Sequence, residues 1–181
     1  MSGGMELYLH MPFCVRKCAY CDFLSFPSGA KTQRMYAKRL MEDIDVMGKR
    51  YGEIPVETIF IGGGTPSVPD SGLIVEIMEH VRHAFHVAEG AEISMEANPG
   101  TVTREKLTDY RKAGINRLSF GLQSANDREL KLLGRIHTWA EFLESFTLAR
   151  ECGFANLNID LMSALPGQTC ESWKETLSRV T

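Results

Sequence analysis

Apolar and polar positions along this chain follow two rhythms that take turns. Glu6–Met11 predicts a strand leading into a loop of cysteines. Gln33–Met47 predicts a helix, with Met35, Leu40, Ile44 and Met47 as its apolar positions. Val56–Ile61 is a β-branched and aromatic run stopped by three glycines, and Ser71–Phe85 is helical, with Ile74, Ile77, Met78 and Val81 on one face. Glu92–Glu96 predicts a third strand, closed by the turn cluster Asn98-Pro99-Gly100. Thr103 can cap the next helix, but Lys106 three positions on leaves the capping box incomplete. Asn116–Leu122 is a fourth strand entered through Gly114, a good residue to end a helix. Trp139–Cys152 is helical up to Gly153. Asn156–Met162 is a fifth strand broken by Pro166-Gly167, and a last helix opens near Thr169.

Strand and helix thus alternate five times along the chain, which predicts βαβ units and a parallel sheet. The fold class is α/β, a partial parallel (βα) barrel of about five units. No linker, low-complexity tract or composition shift divides residues 1–181, so one domain is expected.

Composition narrows the function classes. Hydrophobic residues at 44% and charged residues at 24% of 181 suit a globular domain with a real core. A net charge of −3 without a Lys/Arg cluster gives no electrostatic case for nucleic acid. No apolar run approaches the length of a membrane span. The start, MSGGMELYLH, has neither a basic nor an apolar region of a signal peptide. Five cysteines, three of them clustered, do not form a secreted disulfide framework, so a reducing cytoplasm is the expected compartment.

The clustered cysteines carry the chemistry. Cys14, Cys18 and Cys21 are spaced Cys-x3-Cys-x2-Cys, and three thiolates so close converge on one centre only if the loop wraps around it. A [4Fe–4S] cluster usually takes four cysteines, so three leave one iron with an open position. Phe13, Tyr20, Phe23 and Phe26 can shield such a cluster, and Arg16 and Lys17 can offset its charge. A zinc site stays open as an alternative, although no fourth ligand follows at finger-like spacing. Cys14, the Gly62–Pro66 turn, Glu96, Gln123 and Asp160 each fall at or just after the C-terminal end of a different predicted strand. In parallel barrels active sites are assembled on that rim. The glycines of Gly62-Gly63-Gly64-Thr65-Pro66 allow a tight turn and close approach of a ligand to the backbone. Glu96 ends a mainly apolar strand, where a carboxylate needs a partner, and Asp160 interrupts the apolar run Leu157–Leu161.

The stretch LYLHMPFCVRKCAYCDF resembles the radical S-adenosylmethionine superfamily. Within it the chain looks like the oxygen-independent coproporphyrinogen III oxidase family and its heme-chaperone relatives. The resemblance spans about residues 6–180. It implies that Cys14, Cys18 and Cys21 ligate three irons, and that the fourth takes the amino and carboxylate groups of S-adenosylmethionine. It further implies that Gly63, Gly64, Thr65, Glu96, Gln123, Arg135 and Asp160 contact that cofactor and that Tyr8 lies near its methionyl group. Arg135 suits a carboxylate because a guanidinium can grip it with two hydrogen bonds.

The chemistry implied is reductive cleavage of the sulfonium to a 5′-deoxyadenosyl radical, with an electron donor as partner. The decarboxylating enzymes usually carry a further cysteine where this chain has Phe23, and CDF instead resembles the heme-chaperone branch. In that branch cluster and cofactor serve heme binding and transfer with little or no turnover, so the expected partner is heme or a porphyrin and turnover is left open. Ser163-Ala164 departs from the aromatic-glycine pair that is commoner in the family. Oxidative decarboxylation of coproporphyrinogen III is the alternative, and a (βα) domain with a structural metal site is a third reading. Family cores have six units and a C-terminal domain, so five strands predict a chain truncated at its C-terminus, with its last strand an unpaired edge prone to aggregation.

Other residues read as ordinary. His80, His83 and His86 suit a helix end, Cys152 and Cys170 are isolated, and Met35, Met41, Met47 and Met78 read as core filler. His10 either packs beside the cysteine loop or supports it from behind.

Overall fold

The computed structural model describes residues 3–181, so Met1 and Ser2 of the segment read for a signal peptide lie outside it. Five strands form one sheet, β1 (Met5–Met11), β2 (Val56–Gly63), β3 (Val87–Ala97), β4 (Arg117–Gln123) and β5 (Asn156–Leu161). They lie side by side in chain order and every neighbouring pair is parallel. The connections carry α1 (Ala30–Tyr51), α2 (Ser71–Ala84), α3 (Arg104–Lys112), α4 (Asp127–Leu132) and α5 (Trp139–Glu151), and α6 (Cys170–Val180) follows β5. Strict chain order is what a growing (βα) barrel produces, as each crossover adds the next strand at the same edge.

Alternation along the strands decides which side is covered. Leu9 and Met11, Ile59 and Ile61, Ile93 and Met95, and Leu118, Phe120 and Leu122 are all nearly or wholly buried. They join one core with Ala37, Met41 and Ile44 of α1, Ile74, Ile77, Met78 and Val81 of α2, and Leu107, Tyr110 and Phe142 from α3 and α5. The helices start where side chains satisfy their free amides. Asp70 accepts from Gly72 N, Thr103 from Lys106 N and Asn126 from Arg128 N, while Thr138 and Thr169 form full capping boxes.

The predicted elements are present, with corrections at their margins. The first helix runs beyond Gln33–Met47 at both ends, and its buried face is Gln33, Ala37, Met41 and Ile44. Met35 and Met47 are therefore not core filler; they are 64% and 49% exposed, because the stripe that packs is offset from theirs. β3 begins at Val87, five residues before the predicted start, and α4 has no counterpart in the sequence reading. His86 lies beyond the end of α2. Among the described residues no helix is long and apolar enough to cross a membrane.

Candidate cluster and cofactor site

Between β1 and α1 the chain makes a loop closed at its base. Phe13 and Phe26 form an isolated parallel bridge, Phe26 N donates to Pro12 O, and Cys14 N donates to Phe26 O. Phe13 anchors this closure from the core, with its ring edge-on to Phe26 and to Tyr36. Inside the loop Cys21 N donates to Cys18 O and Lys17 Nζ to Phe23 O. His10 reaches in from β1. Its Nε2 lies 3.0 Å from Leu24 O, and a carbonyl can only accept, so Nε2 carries the proton and Nδ1 accepts from the Tyr8 hydroxyl at 3.1 Å. His10 thus braces the cysteine loop from behind. The aromatic shield is partial, since Phe13 is buried while Phe23 is 64% exposed.

The loop is held on its other side by the link between α4 and α5. Ala19 N donates to Leu133 O and Arg16 donates to Gly134 O at 2.6 Å. Arg135 points back across the site. One guanidinium nitrogen lies 3.6 Å from Cys18 Sγ and 3.4 Å from the Tyr20 hydroxyl, and another donates to Asn98 Oδ1 and to Gly121 O. Its Nε is buried and has no partner among the described residues. The Arg135 head is thus largely engaged by the protein, with Nε its one unmatched donor.

The glycine turn closes the third side. Gly64 N donates to Met11 O and Thr65 N to Phe13 O, which draws the turn against the end of β1. A Cβ on Gly64 would lie 2.7–2.9 Å from backbone atoms of Phe13 and Met11, so no side chain fits. Gly63 has φ +115 and donates its N–H to Glu96 Oε2 at 3.0 Å. Burial pushes the Glu96 carboxyl above its ordinary pKa and Asp160 adds to this, while the Gly63 N–H and His10 act the other way. Asp160 accepts from Ser119 Oγ and Asn158 Nδ2.

These pieces enclose one cavity of about 430 Å³, within the range that holds a small-molecule cofactor. Cys14, Cys18 and Cys21 line it together with Arg135. Gly63, Gly64 and Thr65 line it too, with Thr65 Oγ1 3.5 Å from Cys14 Sγ, and so do Glu96, Gln123 and Asp160. Tyr8 is the one assigned residue that does not line it; Tyr8 is 59% exposed, stacks on Phe60 and acts on the site through His10. A larger groove of about 630 Å³ between α1 and α2, beside the His80–Asp45 pair, contains none of the assigned residues. Physical chemistry favours the smaller cavity, where cysteines, carboxylates, an arginine and a glycine cradle converge.

By sequence Asn98 is part of a turn, yet in the structure it ties the walls together. Its side chain donates to Thr65 Oγ1 and accepts from Arg135, and its backbone N–H donates to Ser67 Oγ. The signal for it was its place two residues after Glu96, at the same strand end. Three thiols of one loop facing a shared cavity fit a four-iron cluster, which meets each thiolate at a different iron. A single zinc ion would need its sulfurs about 3.8 Å apart. Among the described residues no three His, Cys, Asp or Glu side chains are gathered tightly enough for one ion.

The sequence model of the Radical SAM superfamily matches residues 8–180. The chain is 43% identical over 168 residues to the heme chaperone HemW of Escherichia coli, covering 92% of this chain and 44% of that protein. It is 40% identical over 172 residues to the heme chaperone HemW of Haemophilus influenzae, covering 92% and 45%. Among solved structures it resembles the coproporphyrinogen III oxidase HemN of E. coli, a radical SAM enzyme, with a TM-score of 0.89 and 32% identity over 98% of this chain and 41% of that one. The chain therefore spans less than half the length of the relatives it matches.

Proposed function

The chain belongs to the radical S-adenosylmethionine superfamily, on the heme-chaperone branch of its coproporphyrinogen III oxidase-like family, and we propose that it uses a cluster and cofactor to bind and transfer heme. The family implies a [4Fe–4S] cluster and S-adenosylmethionine. The observation that carries our reading is the single cavity shared by Cys14, Cys18 and Cys21 with Gly63, Glu96 and Arg135. Bound together, cluster and cofactor supply one-electron chemistry at a sulfonium, for which an electron donor would be the partner. The protein's own part is placement. Cys14, Cys18 and Cys21 hold the cluster, and Arg135 and Arg16 offset its negative charge. The glycine turn lets the cofactor lie against backbone, Glu96 and Asp160 offer acceptors to its amino and hydroxyl groups, and Arg135 faces its carboxylate. Five free cysteines suit a reducing cytoplasm.

Heme handling is favoured over decarboxylation by Phe23, which stands where the decarboxylating enzymes usually carry a further cysteine. Anaerobic reconstitution should give about four irons and four sulfides per chain. Cys14→Ser should abolish this and Cys152→Ser should leave it intact; equal loss in both would sink the cluster assignment. Titration of the reconstituted protein with heme should then saturate, and anaerobic incubation with coproporphyrinogen III should yield no vinyl product. The opposite pair of results would assign the decarboxylase activity.

A further inference from the structure

The link Leu133–His137 contains a second long-reaching side chain. His137 is only 4% exposed, and its Nε2 lies 3.3 Å from Leu122 O. The carbonyl can only accept, so Nε2 carries the proton and Nδ1 is a bare acceptor; Nδ1 is buried with no partner among the described residues. A core packing role would be served at lower cost by an apolar ring, since a buried polar atom without a partner is unfavourable. Burial, with Arg135 acting in the same direction, lowers the His137 pKa to about 4, so the ring is a neutral donor at physiological pH.

The carbonyl it holds precedes a strained residue. Gln123 has φ +73, and it and Ala164 are the non-glycine residues with positive φ among those described. A side chain disfavours that conformation, which persists only where the surroundings hold it from several directions. The pairing of β4 with β5 shifts between Gly121 and Gln123, so Leu122 has no partner in the ladder and the sheet supplies only part of that hold. Bonds to three carbonyls complete it. Arg135 donates to Gly121 O, His137 to Leu122 O, and Met162 N to Gln123 O at 2.9 Å. Each of three successive carbonyls is gripped from a different direction, and the residue so fixed lines the cavity.

We propose that His137 is a positioning residue, whose bond to Leu122 O locks the end of β4 so that Gln123 is presented to the cofactor. The same link also grips the cysteine loop through Leu133 O and Gly134 O, so loss of His137 loosens one wall of the cavity and leaves the other tied. The inference rests on the reading of the cavity as the S-adenosylmethionine site. Its test has one arm that does not.

His137→Phe keeps a ring and removes the donor, His137→Asn keeps polarity but is too short to reach, and His137→Gln restores an N–H at about the Nε2 position. Amide hydrogen exchange on the reconstituted protein without S-adenosylmethionine should rise by about tenfold or more at Gln123 and Ser124 in the Phe and Asn variants, the equivalent of one lost hydrogen bond. Calorimetry should show S-adenosylmethionine binding weakened by about tenfold in the same two variants at unchanged iron content. His137→Gln should return both quantities to within about threefold of wild type. Should the Phe variant lose its iron, the Asn variant decides. Unchanged exchange in the Asn variant, or failure of Gln to rescue it, overturns the assignment. A wild-type protein that ignores S-adenosylmethionine refutes the cavity reading, while the exchange arm still decides whether His137 locks the strand.

Discussion

Along β4, Leu118, Phe120 and Leu122 turn toward the helices and are wholly buried, while Ser119, Gly121 and Gln123 turn the other way and line the cavity. The same division holds across the sheet. On one face Ile59, Ile61, Met95 and Phe120 pack under α1, α2, α3 and α5 in a single apolar core. On the other, Glu92, Ser94 and Arg117 bond to one another, Ser119, Asn158 and Asp160 form a second set, and Glu96 takes the Gly63 N–H. A strand of seven residues thus serves two purposes at a period of two. The covered face sets stability; the open face carries polar groups that bond to one another beside the cavity, and that is where ligand chemistry can occur.

The sharpest way to break this contrast is to change neighbours on one strand. Phe120 is fully buried and meets Phe142 edge-on at 6.3 Å. Phe120→Ala should destabilise by about 3–5 kcal/mol through lost burial and the cavity left behind. Ser119→Ala, one residue away, removes bonds to Asp160 and Asn158 and should cost only about 1 kcal/mol. Urea unfolding of both variants checks this, and comparable losses would mean that the open face is as structural as the covered one.

Much of the covered face was legible because it obeys simple periods. Ile74, Ile77, Met78 and Val81 were assigned to one helix face and are buried there. Where a polar residue enters the buried stripe the period misleads. Gln33 packs inward because its amide reaches Ser28 O, and with that stripe in place Met35 and Met47 are left outside. The six residues of α4 are too few for a period to show. On the open face the residue types at the strand ends were visible, since carboxylates and glycines stand out against apolar strands. Their connections were not. Arg135 touches Gly121, Asn98 and Cys18, which lie 14, 37 and 117 residues away, and no local pattern encodes such spans. Asn98 was hidden for the same reason, and so was the hold of His137 on Leu122.

Acid should separate the two regions as well. The His137 pKa falls from its ordinary 6.5 to about 4, chiefly through burial, with Arg135 adding to it. An unfolded chain takes up this proton as pH drops below about 6.5, whereas the fold resists until about 4. The stability contributed by the neutral ring is therefore complete above 6.5 and is lost progressively toward pH 4, about 3 kcal/mol in all. Unfolding midpoints measured from pH 7 to pH 5 should fall in the wild type and much less in His137→Phe. Parallel curves would place the acid sensitivity elsewhere.

The smallest expected effect sharpens the contrast most, because its two readouts should move in opposite directions. Glu96 sits on the open face with its carboxyl pKa raised, first by burial and then by Asp160, against the opposing Gly63 N–H and His10. A carboxyl whose folded pKa lies above its ordinary value is easier to ionise in the unfolded chain. Its contribution favours the fold at low pH and is lost as pH rises through that value, so at neutral pH the charge on Glu96 works against folding. Glu96→Gln keeps an oxygen to accept the Gly63 N–H, now at 3.0 Å from Oε2, and removes the charge. The variant should therefore unfold at the same denaturant concentration as wild type or a higher one. Its affinity for S-adenosylmethionine should nevertheless fall by about 1.5–3 kcal/mol, the worth of a hydrogen bond to a charged group. Calorimetry and denaturation on one preparation decide the matter. If stability and affinity fall together, Glu96 is a structural residue that happens to face the cavity. If stability holds while affinity falls, the chain keeps an unfavourable charge on the open face because the cofactor needs it there.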